Sequence, residues 1–147
     1  MKIHKTFSAN ETKKLGRKIA EEVLAMPRGK TARILALTGD LGSGKTTFVQ
    51  GALRALGVKG AITSPTFVLM KHYRAPKYGL EIYHLDAYRL KSEEDLAVLD
   101  FAEKIKNPNA VIIVEWPERI KKAMRSGVRK IKLSHEKKAG SRTIKIY

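Results

Sequence analysis

The sequence has no cysteine among its 147 residues. Disulfide frameworks, cysteine-ligated metal centres and cysteine nucleophiles are therefore excluded. A His-x-x-x-His metal spacing and the Gly-x-Ser-x-Gly elbow of serine hydrolases are also missing. The chemistry of this protein must therefore rest on other residue types.

Long apolar runs are missing too. No stretch approaches the length of a membrane-spanning helix, and the segment that starts at Met1–Lys5 lacks the apolar core of a signal peptide. An apolar fraction of 43% is nevertheless typical of a globular protein. We therefore expect one domain over residues 1–147, in a soluble cytoplasmic protein with no membrane partner.

Acidic residues are scarce. The chain has 14 Asp and Glu against 30 Lys and Arg, which gives a formal net charge of +16. A charge of this sign favours polyanionic partners such as RNA, or an acidic protein surface. The basic residues are spread along the chain, however, and a solvated lysine-rich surface explains them equally well.

The strongest motif is Gly39–Thr46, which reads Gly-Asp-Leu-Gly-Ser-Gly-Lys-Thr and fits the P-loop pattern G-x-x-x-x-G-K-[ST]. An apolar run of strand length, Arg33–Thr38, precedes it. Apolar residues at helical spacing follow it, and Gly57 stands where a glycine would end that helix. A chance glycine turn is the alternative, but strand, loop and helix occur in the order that phosphate binding needs.

The P-loop pattern assigns roles to its residues. Its glycines permit positive φ, so that backbone N–H groups and the helix N-terminus can face an anion. Lys45 is expected to reach the β- and γ-phosphates, and the Thr46 hydroxyl to bind Mg²⁺. The nucleotide-binding residues predicted in this loop are Asp40, Leu41, Gly42, Ser43, Gly44, Lys45, Thr46 and Thr47.

The remaining patterns predict an α/β fold. We expect a P-loop NTPase-like three-layer sandwich, with a central mixed β-sheet, helices on both faces and an antiparallel C-terminal edge. The predicted strands are 2–7, 33–38, 67–73, 80–86, 110–114, 129–135 and 143–147, and the predicted helices begin at Ser8, at the P-loop, at Ser92 and at Glu118, the last ending at Arg125.

Two carboxylates stand at predicted strand ends, where a P-loop needs a partner for Mg²⁺ and for the attacking water. Glu115 ends the most apolar strand, and Asp86 ends the strand that contains His84. Each has a structural alternative: Glu115 can face solvent, Asp86 can cap a turn, and His84 alone is typical of a protein surface. Arg89 is either a charge stabiliser or a structural partner of Asp86. Which acid serves hydrolysis stays open.

Two further segments are candidates for the site. Ser64-Pro65-Thr66-Phe67 follows the P-loop helix, where a switch loop senses a γ-phosphate, although an ordinary Ser-Pro turn is the alternative. Trp116, the single tryptophan, either packs in the core or lines the nucleotide site. Mg²⁺ with a nucleotide is the only cofactor that the sequence implies.

The four motifs at Gly39–Phe48, Ser64–Phe67, His84–Leu90 and Val114–Glu118 occur in an order and spacing that resemble the TsaE family. This is the small P-loop ATPase of bacterial tRNA threonylcarbamoyladenosine synthesis. The resemblance implies binding of ATP or ADP with Mg²⁺, and ATP hydrolysis that resets the partner proteins TsaD and TsaB. Those partners modify adenosine 37 of tRNAs that read ANN codons.

The resemblance also implies roles for single residues. Thr46 and Glu115 would hold Mg²⁺, and Asp86 would serve hydrolysis. Thr66 would belong to a switch-like loop, Trp116 would lie near the nucleotide, and Thr12 would help to enclose the adenine. The match is loose beyond Glu118, where Arg142 corresponds to a family position. Ser43 replaces the usual alanine, and the charge of +16 is unusually basic for the family.

Two other functions remain as alternatives. A small-molecule kinase would share the P-loop, but it needs an acceptor pocket and a mobile lid that no segment obviously supplies. A basic RNA-binding protein would use a nucleotide only to stabilise its fold. Activity is expected to be weak without partners, because an incomplete phosphoryl-transfer site is slow.

Overall fold

A single mixed β-sheet forms the centre of the protein and includes both the first and the last strand of the described chain. The structure is a computed structural model that describes residues 1–65, 68–124 and 127–147. Over those residues seven strands form one sheet, namely β1 (Lys2–Thr6), β2 (Arg33–Thr38), β3 (Met70–Ala75), β4 (Leu80–Asp86), β5 (Ala110–Glu115), β6 (Val128–His135) and β7 (Arg142–Ile146). The α-helices are α1 (Ala9–Ala25), α2 (Lys45–Ala55) and α3 (Phe101–Lys106), and 3-10 helices cover Pro76–Tyr78, Ala87–Arg89, Glu93–Leu99 and Pro117–Ala123.

The strand order confirms the predicted mixed sheet. The order is β1-β7-β6-β2-β5-β4-β3. The four central strands β6, β2, β5 and β4 are parallel. At one edge β7 and β1 add antiparallel pairs, and at the other β3 pairs antiparallel with β4. The predicted C-terminal hairpin and antiparallel edge are therefore both present.

Both faces of the sheet are covered by helical segments, as predicted. Strand β5 is buried along its whole length, so its side chains serve two cores. Val111 and Ile113 pack into the core under α1 and α2. Ile112 and Val114 pack into a second core that is formed with Leu96 and Phe101. A continuous β-branched run is what burial on both faces requires.

Helix α1 begins where its capping residues predict. The Ser8 hydroxyl accepts a hydrogen bond from the Glu11 N–H at 3.1 Å, and the Glu11 carboxylate accepts one from the Phe7 N–H at 2.8 Å. These bonds satisfy donors that a helix start leaves without partners. The helix buries a stripe that includes Leu15 and Ile19 against α2. Its packing holds α2, and hence the P-loop, against the sheet.

Three predicted elements differ from the structure. The helix expected after Ser92 is a 3-10 helix over Glu93–Leu99, followed by the short α3. Only Leu96 of that 3-10 helix is buried, so it lacks the apolar stripe that stabilises an α-helix. The basic helix expected over 118–125 is a 3-10 helix over Pro117–Ala123, which Ile120 kinks with a φ of −135°.

The third difference concerns the strand expected over 67–73. It begins at Met70 and ends at Ala75. Leu69, just before it, has a φ of 60°, a conformation that no strand residue adopts. Residue 67 lies outside the described residues, as does residue 125 at the end of the basic segment.

Among the helices of residues 1–65, 68–124 and 127–147, none combines the length and the apolar character that crossing a bilayer requires.

The contact between α1 and α2 predicts a sharp difference between two glycine substitutions. A Cβ on Gly51 would collide with the backbone carbonyl of Lys13, whereas a Cβ on Gly29 would meet no atom within 4 Å. We expect Gly51→Ala to lower the free energy of unfolding by about 1–3 kcal/mol, because the helices must separate. Gly29→Ala should stay within about 0.5 kcal/mol of the wild type. Urea denaturation of both variants measures the difference, and equal stabilities would contradict the observed helix contact.

Candidate functional site

The P-loop has the backbone conformation of an anion cradle. Gly39, Gly42 and Gly44 have φ values of 142°, 73° and 98°, and α2 begins at Lys45 directly after them. Residues with a side chain rarely adopt these angles. A Cβ on Gly44 would also strike the Arg142 guanidinium. The glycines therefore let the loop turn tightly over the helix N-terminus.

Lys45 lies inside this loop and is only 5% exposed. Its ammonium donates hydrogen bonds to the carbonyl oxygens of Gly39 at 2.6 Å and Asp40 at 2.9 Å. It also lies 4.3 Å from the centroid of the Trp116 ring, within cation–π range. Burial lowers the pKa of Lys45, and the carboxylates of Glu115 and Asp86 oppose that shift. The loop thus holds a cation ready for a stronger anionic partner.

Asp86 and Glu115 are brought together at the ends of neighbouring parallel strands. They are direct partners in the register of β4 and β5, and they are 7% and 3% exposed. Asp86 accepts a hydrogen bond from the Tyr88 N–H at 3.0 Å. Two buried carboxylates side by side repel each other, so a cation between or beside them is stabilising. The ammonium of Lys45 supplies part of that charge.

His84 is the partner of Glu115. The structure buries it completely, in contrast to the surface position that is typical of a single histidine. Its Nε2 lies 2.8 Å from Glu115 Oε1, and its Nδ1 has no hydrogen-bond partner within the part of the chain that the structure describes. His84 therefore fixes the orientation of the Glu115 carboxylate. Because side chains alternate along a strand, His84 lies on the same face of β4 as Asp86, and this spacing is the sequence signal for His84.

The opposite wall of the loop is formed by Arg142. Its Nε donates to the Ser43 carbonyl at 3.1 Å, and its Nη1 lies 3.5 Å from the Thr12 hydroxyl. Thr12 is fully buried and also bonds to the Ser8 carbonyl at 3.0 Å. The Thr12 hydroxyl therefore makes hydrogen bonds to other residues of the protein. Arg142 joins the N-terminal helix, the last strand and the P-loop at one point.

A cavity of about 230 Å³ collects these side chains. Larger cavities exist elsewhere, but this one contains the buried lysine and both buried carboxylates. Its lining residues are Leu41, Gly42, Gly44, Lys45, Thr46, Thr47, Ser64, Asp86, Glu115, Trp116 and Arg142. Thr12, Asp40 and Ser43 are not among the lining residues, and Thr66 lies outside the described residues.

Two residues beside the site were not predicted from the sequence. His135 Nε2 lies 3.3 Å from the Leu41 carbonyl, because β6 runs parallel to β2 and ends at the same edge. The Tyr88 ring lies 5.0 Å from the Trp116 ring. Tyr88 lies within the His84–Leu90 motif, whereas only the parallel pairing of β6 with β2 could have indicated His135.

The bond between His84 and Glu115 predicts a stability difference between two substitutions that remove the same charge. Glu115→Gln keeps an acceptor for His84, whereas Glu115→Ala leaves the buried imidazole without one. We expect Glu115→Ala to be less stable than Glu115→Gln by about 1–3 kcal/mol, the cost of a buried unpaired polar group. Urea denaturation at neutral pH gives both values. Identical stabilities would mean that the bond does not form in solution.

The chain also resembles known proteins over most of its length. A family model described as threonylcarbamoyl adenosine biosynthesis protein TsaE matches residues 6–144. Three relatives named tRNA threonylcarbamoyladenosine biosynthesis protein TsaE illustrate the similarity. The Synechocystis protein is 41% identical over 113 residues, the Haemophilus influenzae protein 37% over 106, and the Rickettsia conorii protein 41% over 120.

These alignments cover 76%, 72% and 81% of this chain, and 67%, 65% and 63% of the respective relatives. The chain thus matches about two thirds of their length. Among solved structures, the crystal structure of Bacillus subtilis YdiB superposes with a TM-score of 0.73 at 26% identity. That superposition covers 97% of this chain and 82% of YdiB. The chain belongs to the TsaE family.

Proposed function

We propose that this protein binds ATP or ADP with Mg²⁺ at the P-loop and hydrolyses ATP. In this proposal it is an accessory of TsaB and TsaD, which make threonylcarbamoyladenosine at position 37 of ANN-decoding tRNAs. The observation that carries the proposal is the single cavity that joins the P-loop, Lys45 and the carboxylates Asp86 and Glu115. Membership of a family of tRNA threonylcarbamoyladenosine biosynthesis proteins supports the pathway.

The loop fits a polyphosphate. In this structure the Lys45 ammonium is satisfied by two backbone carbonyls, which are weaker partners than a phosphate. The first turn of α2 adds N–H groups and a partial positive charge of roughly half a unit. These groups together favour a highly charged phosphate chain.

The site also fits Mg²⁺ in the way that a nucleotide-dependent site does. Within the described ranges no three His, Asp or Glu side chains converge to hold a metal by themselves. Mg²⁺ is commonly bound by one or two protein oxygens together with substrate phosphates and water. Thr46 and Glu115 line the cavity and would supply the protein oxygens. Bound there, the metal would neutralise phosphate charge.

The side chains of this chain divide the work of hydrolysis. Lys45 binds the phosphates, and Asp86 orients the attacking water and receives its proton. His84 fixes the orientation of the Glu115 carboxylate, because His84 Nε2 lies 2.8 Å from Glu115 Oε1 and both side chains are buried. Phosphoryl transfer depends mainly on positioning and on charge stabilisation. The preoriented groups of this chain therefore supply part of the catalysis, and a partner that adds charge stabilisation would complete the site.

The accessory role predicts how the ATPase responds to its partners. We expect slow ATP turnover by the purified chain and a clear increase when TsaB and TsaD are added, because the partners complete the site. Asp86→Ala should lower the stimulated rate by about 10²-fold or more, the usual contribution of an acid–base group. Steady-state phosphate release measures both. Fast turnover that the partners leave unchanged would refute the accessory role.

The phosphate-binding role of Lys45 predicts a selective loss of affinity. A hydrogen bond to a charged group contributes about 1.5–3 kcal/mol, so Lys45→Ala should weaken ATP binding by roughly 10- to 150-fold. Lys59→Ala removes the same charge from an exposed loop and is the matched control, with affinity unchanged. Isothermal titration calorimetry with Mg²⁺ and ATP measures both variants. Equal losses in the two would indicate a general charge effect and not a P-loop contact.

A further inference from the structure

One face of the sheet edge formed by β6, β7 and β1 is rich in exposed lysines. The residues Ile131, Leu133, Ile144 and Ile146 turn into the core under α1 and α2. The alternating residues of β6 and β7 therefore point to the other side of the sheet. On β6 these include Lys130 and Lys132, both exposed, and on β7 Lys145, which is half-buried.

The register places two of these lysines directly opposite each other. Lys132 is the cross-strand partner of Lys145, and Lys145 is in turn the partner of Ile3 on β1. Like charges at directly opposite positions destabilise a sheet. No ion pair joins either lysine to an acid in residues 1–65, 68–124 or 127–147. The protein thus carries a cost here that a bound anion would remove.

A groove of about 720 Å³ runs beside these lysines. Its lining includes Lys130 and Lys132 of β6, and Glu118 and Lys121 of the 3-10 helix after β5. Tyr147 also lines it, and its side chain is 56% exposed. We call the surface formed by the lining residues Lys121, Lys130, Lys132 and Tyr147, together with Lys145 opposite Lys132, the lysine groove.

We infer that the lysine groove binds RNA through its phosphate backbone. Several ammonium groups on one surface match a chain of phosphates, and an exposed aromatic ring offers a base a surface for stacking. An acidic protein is the competing partner. Protein–protein interfaces, however, are depleted in lysine and rich in arginine and buried aromatics, and the cations that the described residues contribute to this groove are all lysines. The net charge of +16 adds a long-range attraction for a polyanion.

This inference goes beyond the proposed ATPase, and an experiment can refute RNA binding without refuting the ATPase. The lysines of the groove do not line the nucleotide cavity, which lies on the other side of the turn after β5. Loss of RNA binding with unchanged ATP binding is therefore an observable result. The reverse, loss of ATP binding in Lys45→Ala with RNA binding retained, is equally observable.

The test compares two double variants with the same change in net charge. Lys132→Gln with Lys145→Gln removes the opposed pair, and Lys30→Gln with Lys59→Gln removes two exposed loop lysines as the control. The probe is a fluorescein-labelled RNA stem–loop, followed by fluorescence anisotropy from low to high salt. Each lost phosphate contact should reduce the slope of log affinity against log salt by about 0.7–0.9.

The expected result follows from that slope. Two lost contacts should weaken binding about 25- to 60-fold near 0.1 M salt, and the difference should vanish near 1 M. The control pair should stay within about threefold of the wild type, since screening limits distant charges. The thermal midpoint of the groove variant should be equal or higher, because a like-charge pair is removed. A thermal midpoint that is not lowered, together with unchanged ATP affinity, shows that the groove variant is folded.

Three outcomes would overturn the inference. Equal losses in both double variants would mean that only the overall charge matters. A loss that appears instead with Lys13→Gln and Lys14→Gln would move the site to the basic groove beside α1. A polyglutamate peptide that binds as tightly as the RNA, and is weakened equally by the groove variant, would assign the surface to an acidic protein partner.

Discussion

The parallel pairing of β2, β5 and β4 is the constraint on which the site depends. Parallel strands end at the same edge of a sheet, so their carboxyl ends bring distant parts of the chain together. Here that edge holds the P-loop after β2, Glu115 at the end of β5 and Asp86 at the end of β4. A shift of one residue in the register would send both carboxylates to the opposite face. The fully buried β5 prevents such a shift, because its two faces fill two cores.

Local patterns were sufficient to predict the elements that frame the nucleotide site. The strand 33–38, the strand 80–86 and the start of helix α1 were predicted at the positions where they occur. Each rests on signals within a few residues, namely apolar runs, alternation and a capping serine. The mixed sheet followed from combining such segments with the known geometry of a P-loop. The positions of Asp86 and Glu115 at strand ends followed in the same way.

Contacts between distant residues could not be predicted. His84 meets Glu115 across 31 positions of the sequence, and Arg142 reaches the Ser43 carbonyl across 99. Neither pairing leaves a trace in local composition. The 3-10 helices were also missed, because helical capping signals do not distinguish a 3-10 helix from an α-helix when the apolar stripe is short. These segments form 3-10 helices because only a few of their residues pack into the second core.

The turn after β5 forms a wall between two surfaces. Trp116 lines the P-loop cavity, while the next residues, Pro117 and Glu118, line the groove beside the lysines. Trp116 holds a left-handed φ of 60°, which costs an ordinary residue about 1–3 kcal/mol, and the proline ring stiffens the step that follows. Any displacement of this turn would therefore alter both linings, because consecutive residues belong to the two surfaces. If ligands at the two surfaces were coupled through the turn, thermodynamic reciprocity would require each to change the affinity of the other by the same factor.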